Sequence, residues 1–247
     1  MYHFFAKKEN IYDTYIEIDG EDVNHIKNVL RLKEDVEVLV SSGENVDYQC
    51  HISEIREDII RMAIDDIDTG GRELPSKIYL FQGLPKVDKM ELIIQKAVEL
   101  GAYEIIPVAM KRSVVKLDSK KEEAKLKRWN SISESAAKQS KRSVIPNVSS
   151  VMTFKEAVEY ANQLDIKLLP YECAEGIEGT RKIISSIKQG QSIGIFIGPE
   201  GGFDKAELDL AIKNGSQVIT LGKRILRTET AGLMILSVLV FELEYRN

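Results

Sequence analysis

The fold of this 247-residue chain is decided by the stretch from Ser192 to Ala231, which contains two short apolar segments, each followed by a glycine-bearing loop. The first segment, IGIFI at 193–197, leads into GPEGG at 198–202. The second, VITL at 218–221, leads into GKRILRTETA at 222–231. Apolar runs of this length bounded by glycine are typical of buried strands in a parallel sheet. Ligands of such sheets bind beyond the carboxyl ends of the strands, so these two loops are the candidate functional site.

The composition is that of a soluble protein with a substantial core, because 43% of the residues are hydrophobic and 30% are charged. No apolar run approaches the roughly 20 residues of a membrane span, and the N-terminus lacks the pattern of a signal peptide. Cys50 and Cys173 lie far apart in the sequence and are interpreted as two reduced structural thiols of a cytoplasmic protein. The three histidines all lie in the first 51 residues, which argues against a His-rich metal site near the two loops.

Charge is distributed unevenly along the chain, although the net charge is only -5. Residues 1–70 contain 7 basic and 17 acidic side chains. The segment from Lys111 to Arg142 instead contains 11 basic and 4 acidic side chains. This basic patch is either a solvated helix face or a surface that binds an anionic partner such as nucleic acid.

The first 70 residues are predicted to form a small β-barrel with one helix. Residues 35–40 and 48–55 alternate as half-buried strands do, and the turn residues between them predict a hairpin. A short amphipathic helix is expected at 22–32, with Val23, Ile26, Val29 and Leu30 on its buried side.

A linker is predicted at 69–75, and beyond it strands alternate with helices, which indicates an α/β domain with a mostly parallel sheet. The predicted domains are therefore 1–70 and 74–247. Strands are expected at 78–81, 104–108, 166–170, 193–197 and 217–221. Helices are expected at 87–100, 120–140, 153–163, 179–189, 204–214 and 229–244. Asp204 and Glu207 form a candidate capping box. The last helix is apolar almost all round, which predicts heavy burial and a partner surface.

The 120–140 helix is expected to bury Gln139. Its apolar stripe contains Leu126, Trp129, Ile132 and Ala136, and Gln139 is the next member at helical spacing. A buried amide must find a hydrogen-bond partner, which is either structural or, beside Arg142, part of a site.

The loops exclude several enzyme classes. Residues 198–202 lack the glycine spacing of a dinucleotide-binding fingerprint, and 215–223 lacks the spacing of a phosphate-binding loop, so kinase, ATPase and Rossmann dehydrogenase functions lose their support. Glycines let the main chain approach a ligand closely, although sharp turns of this kind are also purely structural. Arg224 and Arg227 open a mostly buried helix, which favours an anionic or polar ligand.

These segments resemble the RsmE family, the ribosomal RNA uridine-N3 methyltransferases of the SPOUT (trefoil-knot) superfamily. Val29-Leu30-Arg31 also fits the family's PUA-like RNA-binding domain, and the resemblance covers nearly the whole chain. The segments that carry it are KMELIIQKAVELG at 89–101, RS at 112–113, SAAKQSKR at 135–142, IGPEGGF at 197–203 and LGKRILRTETA at 221–231.

The resemblance implies a knotted C-terminal SPOUT-type α/β domain beside a PUA-like domain, and S-adenosyl-L-methionine as the methyl donor. It also implies a homodimer in which each site is completed by the partner chain. The implied substrate is 16S rRNA, free or within the small ribosomal subunit, with no membrane and no metal involved. The expected donor-binding residues are Leu169, Gly198, Pro199, Glu200, Gly201, Leu221, Gly222, Arg224, Ile225, Leu226 and Thr230.

Uracil N3 carries a proton at neutral pH, so the site must remove it or stabilise the uridinate. Arg142 is the first candidate for offsetting that charge, followed by Arg112 and Arg227. Glu200 and Glu229 are candidate general bases without further support. The expected RNA-binding residues are Lys27, Arg31, Lys33, Gln139 and Arg142.

Two alternatives stay open at this point. One is a related SPOUT enzyme that methylates a ribose 2'-hydroxyl or another base. The other is an rRNA-binding assembly factor without catalytic activity.

Overall fold

The computed structural model describes residues 1–86, 89–172 and 176–244. Val87, predicted to lie in a helix, and Cys173, interpreted as a structural thiol, fall outside these ranges. The chain forms two compact units. The N-terminal unit comprises residues 1–73 and 137–145, and the C-terminal unit comprises residues 74–136 and 146–247.

The N-terminal unit is built on a five-stranded sheet with the order β1-β3-β4-β5-β2. Its strands are β1 (Tyr2–Phe5), β2 (Tyr15–Ile18), β3 (Glu37–Ser41), β4 (Asp47–Ile55) and β5 (Ile60–Asp68). The predicted hairpin is confirmed as the antiparallel pair β3–β4, while β1 pairs with β3 in parallel. Alternate side chains from the strands, with Val23 and Ile26, form one apolar core under the sheet.

The predicted helix of this unit is shorter and wider than expected. It consists of α1 (Glu21–Asn24) and a π-helical turn at His25–Val29. The Leu30 N–H donates to the His25 carbonyl oxygen at 2.8 Å, a five-residue spacing that underwinds the turn relative to an α-helix. Val29 was predicted to be buried and is instead 62% exposed. The wider turn rotates it away from the core that holds Val23 and Ile26.

A buried polar cluster lies at one edge of this sheet. Ser41 Oγ lies 2.7 Å from His3 Nε2 and 2.5 Å from Asp47 Oδ1. The Ser143 hydroxyl donates to Asp47 Oδ2 at 2.8 Å, and His3 Nδ1 lies 3.2 Å from the Lys138 carbonyl oxygen. The cluster therefore ties segment 137–145 to the sheet. Burial lowers the pKa of His3 below its usual range.

The lowered pKa of His3 predicts that acid destabilises the N-terminal unit. The unfolded chain binds a proton near pH 6.5, whereas the folded chain resists it, so stability is lost as the pH falls below about 6.5. The check is urea unfolding at about pH 7.5 and about pH 5.5, within the range where histidine titrates. The wild-type chain should lose more stability between the two than His3→Gln does. The matched control is His25→Gln, since His25 is exposed; an equal loss in His3→Gln and the wild type would contradict the assignment.

The C-terminal unit is an α/β domain with a parallel sheet in the order β12-β10-β11-β6-β7-β8, and β9 also pairs with β7. Its strands are β6 (Ile78–Gly83), β7 (Glu104–Ala109), β8 (Asn147–Val148), β9 (Met152–Thr153), β10 (Ile166–Pro170), β11 (Ile193–Ile197) and β12 (Gln217–Ile219). Its helices are α2 (Lys89–Glu99), α3 (Ser119–Ser140), α4 (Phe154–Ala161), α5 (Ile177–Ser186), α6 (Lys205–Lys213) and α7 (Thr228–Glu244). The α/β class and the parallel sheet are confirmed.

The central strand β11 is buried at all five positions, as its continuous apolar sequence predicts. Phe196 on β11 stacks on Phe81 of β6 with ring centroids 4.5 Å apart. The predicted capping box at the start of α6 is confirmed, because Asp204 accepts from the Ala206 N–H and Glu207 accepts from the Asp204 N–H. The core thus holds β6 and β11 in register, and the loops that follow them emerge at the same edge.

Two helix faces differ from expectation. Gln139 was predicted to be buried and is exposed, because α3 buries Trp129, Ser133, Ala136 and Ala137 instead. The predicted stripe ran from Ile132 through Ala136 to Gln139, whereas the buried face runs through Ser133 and Ala137. Helix α7 buries one face only, and on the opposite face Phe241 is 71% exposed. Within the described ranges, no helix has the length and apolar character needed to cross a bilayer.

Candidate functional site

A cavity of about 580 Å³ lies in the C-terminal unit, where β6, β10, β11 and β12 end. Both loops that the sequence singled out contribute to it, together with the residues that follow β6 and β10. Its lining is Lys86, Lys89, Arg112, Pro170, Tyr171, Glu172, Ile197, Gly198, Pro199, Glu200, Gly201, Gly202, Phe203, Thr220, Leu221, Gly222, Arg224, Ile225, Leu226, Arg227, Thr228 and Ala231.

The first loop is a tight turn that packs closely on its neighbours. The Gly202 N–H donates to the Pro199 carbonyl oxygen at 2.8 Å, and Gly202 has a positive φ of 67° that favours glycine. A Cβ on Gly201 would lie 2.9 Å from Arg112 Cβ, and a Cβ on Gly83 would lie 2.7 Å from the Pro199 backbone nitrogen. The missing side chains therefore let the end of β6 and residue 112 pack directly against this loop.

Replacing Gly83 with alanine is expected to destabilise the C-terminal unit by about 1–3 kcal/mol, because the added methyl would overpack the Pro199 backbone. Urea unfolding measures the change. The matched control is Gly179→Ala in α5, where no described atom lies within 4 Å of the added Cβ. That change should be neutral or stabilise by up to about 1 kcal/mol, because alanine has the better helix propensity. Equal behaviour of the two variants would contradict the close packing at Gly83.

The second loop is shaped by threonine side chains. The Thr220 N–H donates to Thr180 Oγ1 at 2.9 Å, and the Gly222 N–H donates to Thr220 Oγ1 at 3.2 Å. Gly222 has a φ of 109°, a conformation that side chains rarely adopt. Ile225 is 83% exposed between Arg224 and Arg227. The loop thus presents main chain and two guanidinium groups around one exposed apolar side chain.

A neutral hydrogen-bond chain joins the two loops. The Thr228 hydroxyl donates to the Gly198 carbonyl oxygen at 2.7 Å, and Gln82 Nε2 donates to Thr228 Oγ1 at 2.8 Å. Gln82 is fully buried at the end of β6. The chain orients the Gly198 carbonyl and fixes the start of α7 against the first loop.

Charged groups hold Glu200 in place on the first loop. Its carboxylate accepts from the Lys86 N–H at 3.1 Å and lies 3.2 Å from Lys89 Nζ. Burial alone would raise the pKa of Glu200, but hydrogen bonds from backbone N–H groups and the Lys89 ammonium outweigh it and lower the pKa. Glu200 is therefore a weak proton acceptor at neutral pH.

Arg112 and Arg227 also line the cavity, and both side chains are exposed. Arg112 Nη1 donates to the Gly201 carbonyl oxygen at 3.1 Å, so its guanidinium lies against the first loop. Together with Arg224, these residues place three permanent cations at the cavity. The arrangement suits a ligand that carries or develops negative charge.

The structure brings most of the expected donor-binding residues together. Of the described residues in that set, Leu169 and Thr230 lie outside the cavity lining, Leu169 because it is buried within β10 and Thr230 because it is exposed on α7. Lys86, Lys89, Tyr171 and Thr220 line the cavity but were not predicted as site residues. These residues follow the carboxyl ends of β6, β10 and β12. Their positions could have predicted them as site residues, since loops at the carboxyl edge of a parallel sheet share a site.

The expected RNA-binding residues all lie in the N-terminal unit. Arg31, Lys33 and Gln139 are exposed, and Lys27 Nζ donates to the carbonyl oxygens of Arg56 and Glu57 at 2.9 and 3.1 Å. Arg31 has a positive φ of 54°, directly after the π-helical turn.

Arg142 also lies in this unit and is only 5% exposed. Its guanidinium forms an ion pair with Glu73, whose Oε1 also accepts the Ser143 N–H at 3.0 Å and the Val144 N–H at 3.2 Å. Helix α3 ends just before it, and Lys141 turns the chain back with a φ of 58°. The described contacts of Arg142 therefore anchor segment 137–145.

Comparison with known families assigns both parts of the sequence. Residues 72–240 match the model of an RNA methyltransferase domain, and residues 18–61 match the model of an RNA methyltransferase PUA domain. The chain is 39% identical to ribosomal RNA small subunit methyltransferase E of Bacillus subtilis over 92% of this chain and 90% of that protein. It is 35% identical to the protein of the same name from Mesomycoplasma hyopneumoniae, over 96% and 98% of the two chains.

A solved structure shares the whole fold. The ribosomal RNA small subunit methyltransferase E of Neisseria gonorrhoeae, crystallised bound to S-adenosyl methionine, superposes with a TM-score of 0.85 at 28% identity and covers 100% of both chains. In the described part of the present chain, no group of three or more His, Cys, Asp or Glu side chains is arranged to hold a metal ion.

Proposed function

The chain belongs to the ribosomal RNA small subunit methyltransferase E family, and on that premise we propose that it transfers a methyl group from S-adenosyl-L-methionine to N3 of a uridine in 16S rRNA. The observation that carries the proposal is the cavity between the two glycine-bearing loops of the C-terminal unit. It lies at the carboxyl edge of the parallel sheet, where such folds bind ligands.

The cavity fits the proposed donor in size and chemistry. Its volume of about 580 Å³ falls within the range of about 300–1,000 Å³ that is usual for small-molecule sites. Glycines 198, 201 and 222 line the cavity without a side chain and so allow a ligand to approach the main chain closely, while Ile197 and Leu226 supply apolar walls for a nucleoside. The Neisseria gonorrhoeae relative was crystallised with this compound. The donor-binding set predicted from sequence, including Leu169 and Thr230, is therefore retained as part of the proposal.

When bound, the donor supplies a methyl group on a sulfonium, which is already electrophilic. The remaining tasks of the protein are to orient the uracil and to stabilise the negative charge that N3 develops as it loses its proton. Arg112 and Arg227 line the cavity and are the residues we assign to that charge. Glu200 and Glu229 both lie within 3.2 Å of Lys89 Nζ, so each carboxylate is already engaged by a cation. This arrangement argues against either as the general base.

The proposed role of Arg142 rests on family resemblance, and its ion pair with Glu73 gives it a second assignment as an anchor of segment 137–145. The anchoring role predicts that Arg142→Ala loses stability, whereas the catalytic role predicts that it loses methyl transfer while stability is kept.

We propose that the N-terminal unit contacts the rRNA through Lys27, Arg31, Lys33 and Gln139. The acidic character of residues 1–70 makes a broad electrostatic surface unfavourable, so the contact is assigned to this local group. Arg31 is exposed and has a positive φ of 54° just beyond the π-helical turn. The basic residues of α3 supply a second surface for the RNA backbone.

The homodimer expected from the resemblance is also retained as a proposal. Helix α7 exposes Phe241 and Met234 on the face opposite its buried side. Exposed apolar side chains grouped on one face mark surfaces that associate. We also propose a cytoplasmic location for the protein, because its proposed substrate is rRNA.

The proposed function is tested in two steps with the purified chain. Isothermal titration with S-adenosyl-L-methionine should show saturable binding, and the donor should stabilise the chain by about 2.7 kcal/mol at a hundredfold excess over Kd. Methylated 16S rRNA and small subunits are then digested to nucleosides and analysed by mass spectrometry. The product should be 3-methyluridine. A 2'-O-methylated nucleoside would support the related SPOUT activity, and RNA binding without donor binding would support an assembly factor.

A further inference from the structure

The two loops of the cavity are joined by a charged bridge in addition to the neutral hydrogen-bond chain through Thr228. Lys89 is the first residue of α2, and its ammonium lies between two carboxylates. Lys89 Nζ is 3.2 Å from Glu200 Oε1 on the first loop and 3.1 Å from Glu229 Oε2 at the start of α7. All three side chains are partly or largely shielded from solvent.

The three residues of the bridge come from three separate segments of the chain. Glu200 lies within the first glycine-bearing loop, and Glu229 lies within the second, two residues after Arg227. Lys89 comes from a third segment, at the start of α2, which is the helix after β6. The Lys89 ammonium therefore connects both loops to the first residue of α2.

Without the ammonium, two carboxylates would face a shared space. Like charges that lie close together in a partly shielded site repel, which would push the first loop away from α7. Pairing with the Glu229 and Glu200 carboxylates raises the pKa of Lys89, so the ammonium stays charged through the neutral range.

The hydrogen bond from Thr228 and the ion pairs of Lys89 both connect the first loop to the start of α7. Thr228 fixes Gly198 and Lys89 fixes Glu200, so both ends of the turn 198–200 are tied to the start of α7. Because the cavity lies between this turn and residues 220–227, its width depends on these two connections.

We propose that Lys89 is a positioning residue of the donor site, which sets the separation of the two loops by bridging Glu200 and Glu229. The proposal rests on the proposed function, because the donor named there is the ligand whose affinity it controls. Lys89 acts through the loops and takes no part in the chemistry.

The test compares Lys89→Met with Lys89→Arg and with Lys96→Met, each as the full chain. Lys96 lies on the same helix and pairs with Glu99 at 2.8 Å, which makes it the matched control for loss of a lysine on α2. Titration calorimetry measures Kd for S-adenosyl-L-methionine, and initial rates measure KM for the donor and kcat. Lys89→Met should raise Kd and KM about tenfold or more, with a smaller change in kcat. Lys89→Arg should recover part of the affinity, and Lys96→Met should match the wild type.

A second pair of variants tests the bridge itself. Glu229→Gln should weaken donor binding, and the effect of Lys89→Met should shrink when Glu229→Gln is already present, because the two changes remove one interaction. If Lys89→Met does not fold, Glu229→Gln alone carries the test. Unchanged Kd in these variants would overturn the role of Lys89. Failure of the wild-type chain to bind the donor would instead overturn the proposed function.

Discussion

Replacing Arg142 with alanine is expected to lower the free energy of unfolding by about 3–5 kcal/mol, because the change leaves Glu73 without its guanidinium partner in a shielded site. Arg142 is 5% exposed, and Arg142 Nε donates to Glu73 Oε1 at 3.2 Å. The same carboxylate accepts two backbone N–H groups, from Ser143 and Val144. Loss of the ion pair should therefore loosen the whole of segment 137–145.

The measurement is urea unfolding of Arg142→Ala, with Lys8→Ala as the control. Lys8 pairs with Glu44 at 3.2 Å in the same unit, but both side chains are exposed. Exposed pairs contribute about 0–1 kcal/mol, so Lys8→Ala should be close to the wild type. If Arg142→Ala kept full stability and donor binding while losing methyl transfer, the anchoring role would be contradicted and the catalytic role suggested by the family resemblance would be supported.

Replacing Arg227 with alanine is expected to slow methyl transfer by about 10²–10³-fold, the loss seen when one preorganised group that stabilises transition-state charge is removed. Arg227 lines the cavity, and its side chain is exposed. Arg227→Ala should therefore change the chemistry more than the folding. Arg112→Ala should act in the same direction, with an added loss of donor affinity because Arg112 Nη1 bonds to the Gly201 carbonyl oxygen.

Single-turnover rates at saturating donor and RNA measure the effect, and titration calorimetry measures donor binding in parallel. Lys223→Ala is the control, since Lys223 is an exposed cation in the same loop that lies outside the cavity lining of the described residues. Its single-turnover rate should stay within about threefold of the wild type, because Lys223 lies outside the cavity lining where the charge develops. An Arg227→Ala rate as high as that of Lys223→Ala would contradict the assignment of Arg227 to the developing charge.

Several side-chain environments were not predictable from local pattern. Gln139 is exposed because the buried face of α3 runs through Ser133 and Ala137, and a buried serine gives no signal in an apolar pattern. Val29 is exposed because a π-helical turn replaces the expected α-helix. Such a turn depends on hydrogen bonds with unusual spacing, which periodicity at 3.6 residues cannot represent.

The sequence by itself determined the α/β class, the main alternation of strands and helices in the C-terminal unit and the two loops that line the cavity, since apolar runs ending in glycine define buried strands and the loops beyond them. Strands β1, β2, β5, β8 and β9 were not predicted. The capping box at Asp204 and Glu207 is equally local, because its partners lie three residues apart. Only the tertiary structure decided which distant groups meet. It placed Lys89 between Glu200 and Glu229, and Arg142 on Glu73. These pairs are separated by many residues, so their contact follows from how the strands and helices pack and not from any spacing in the chain.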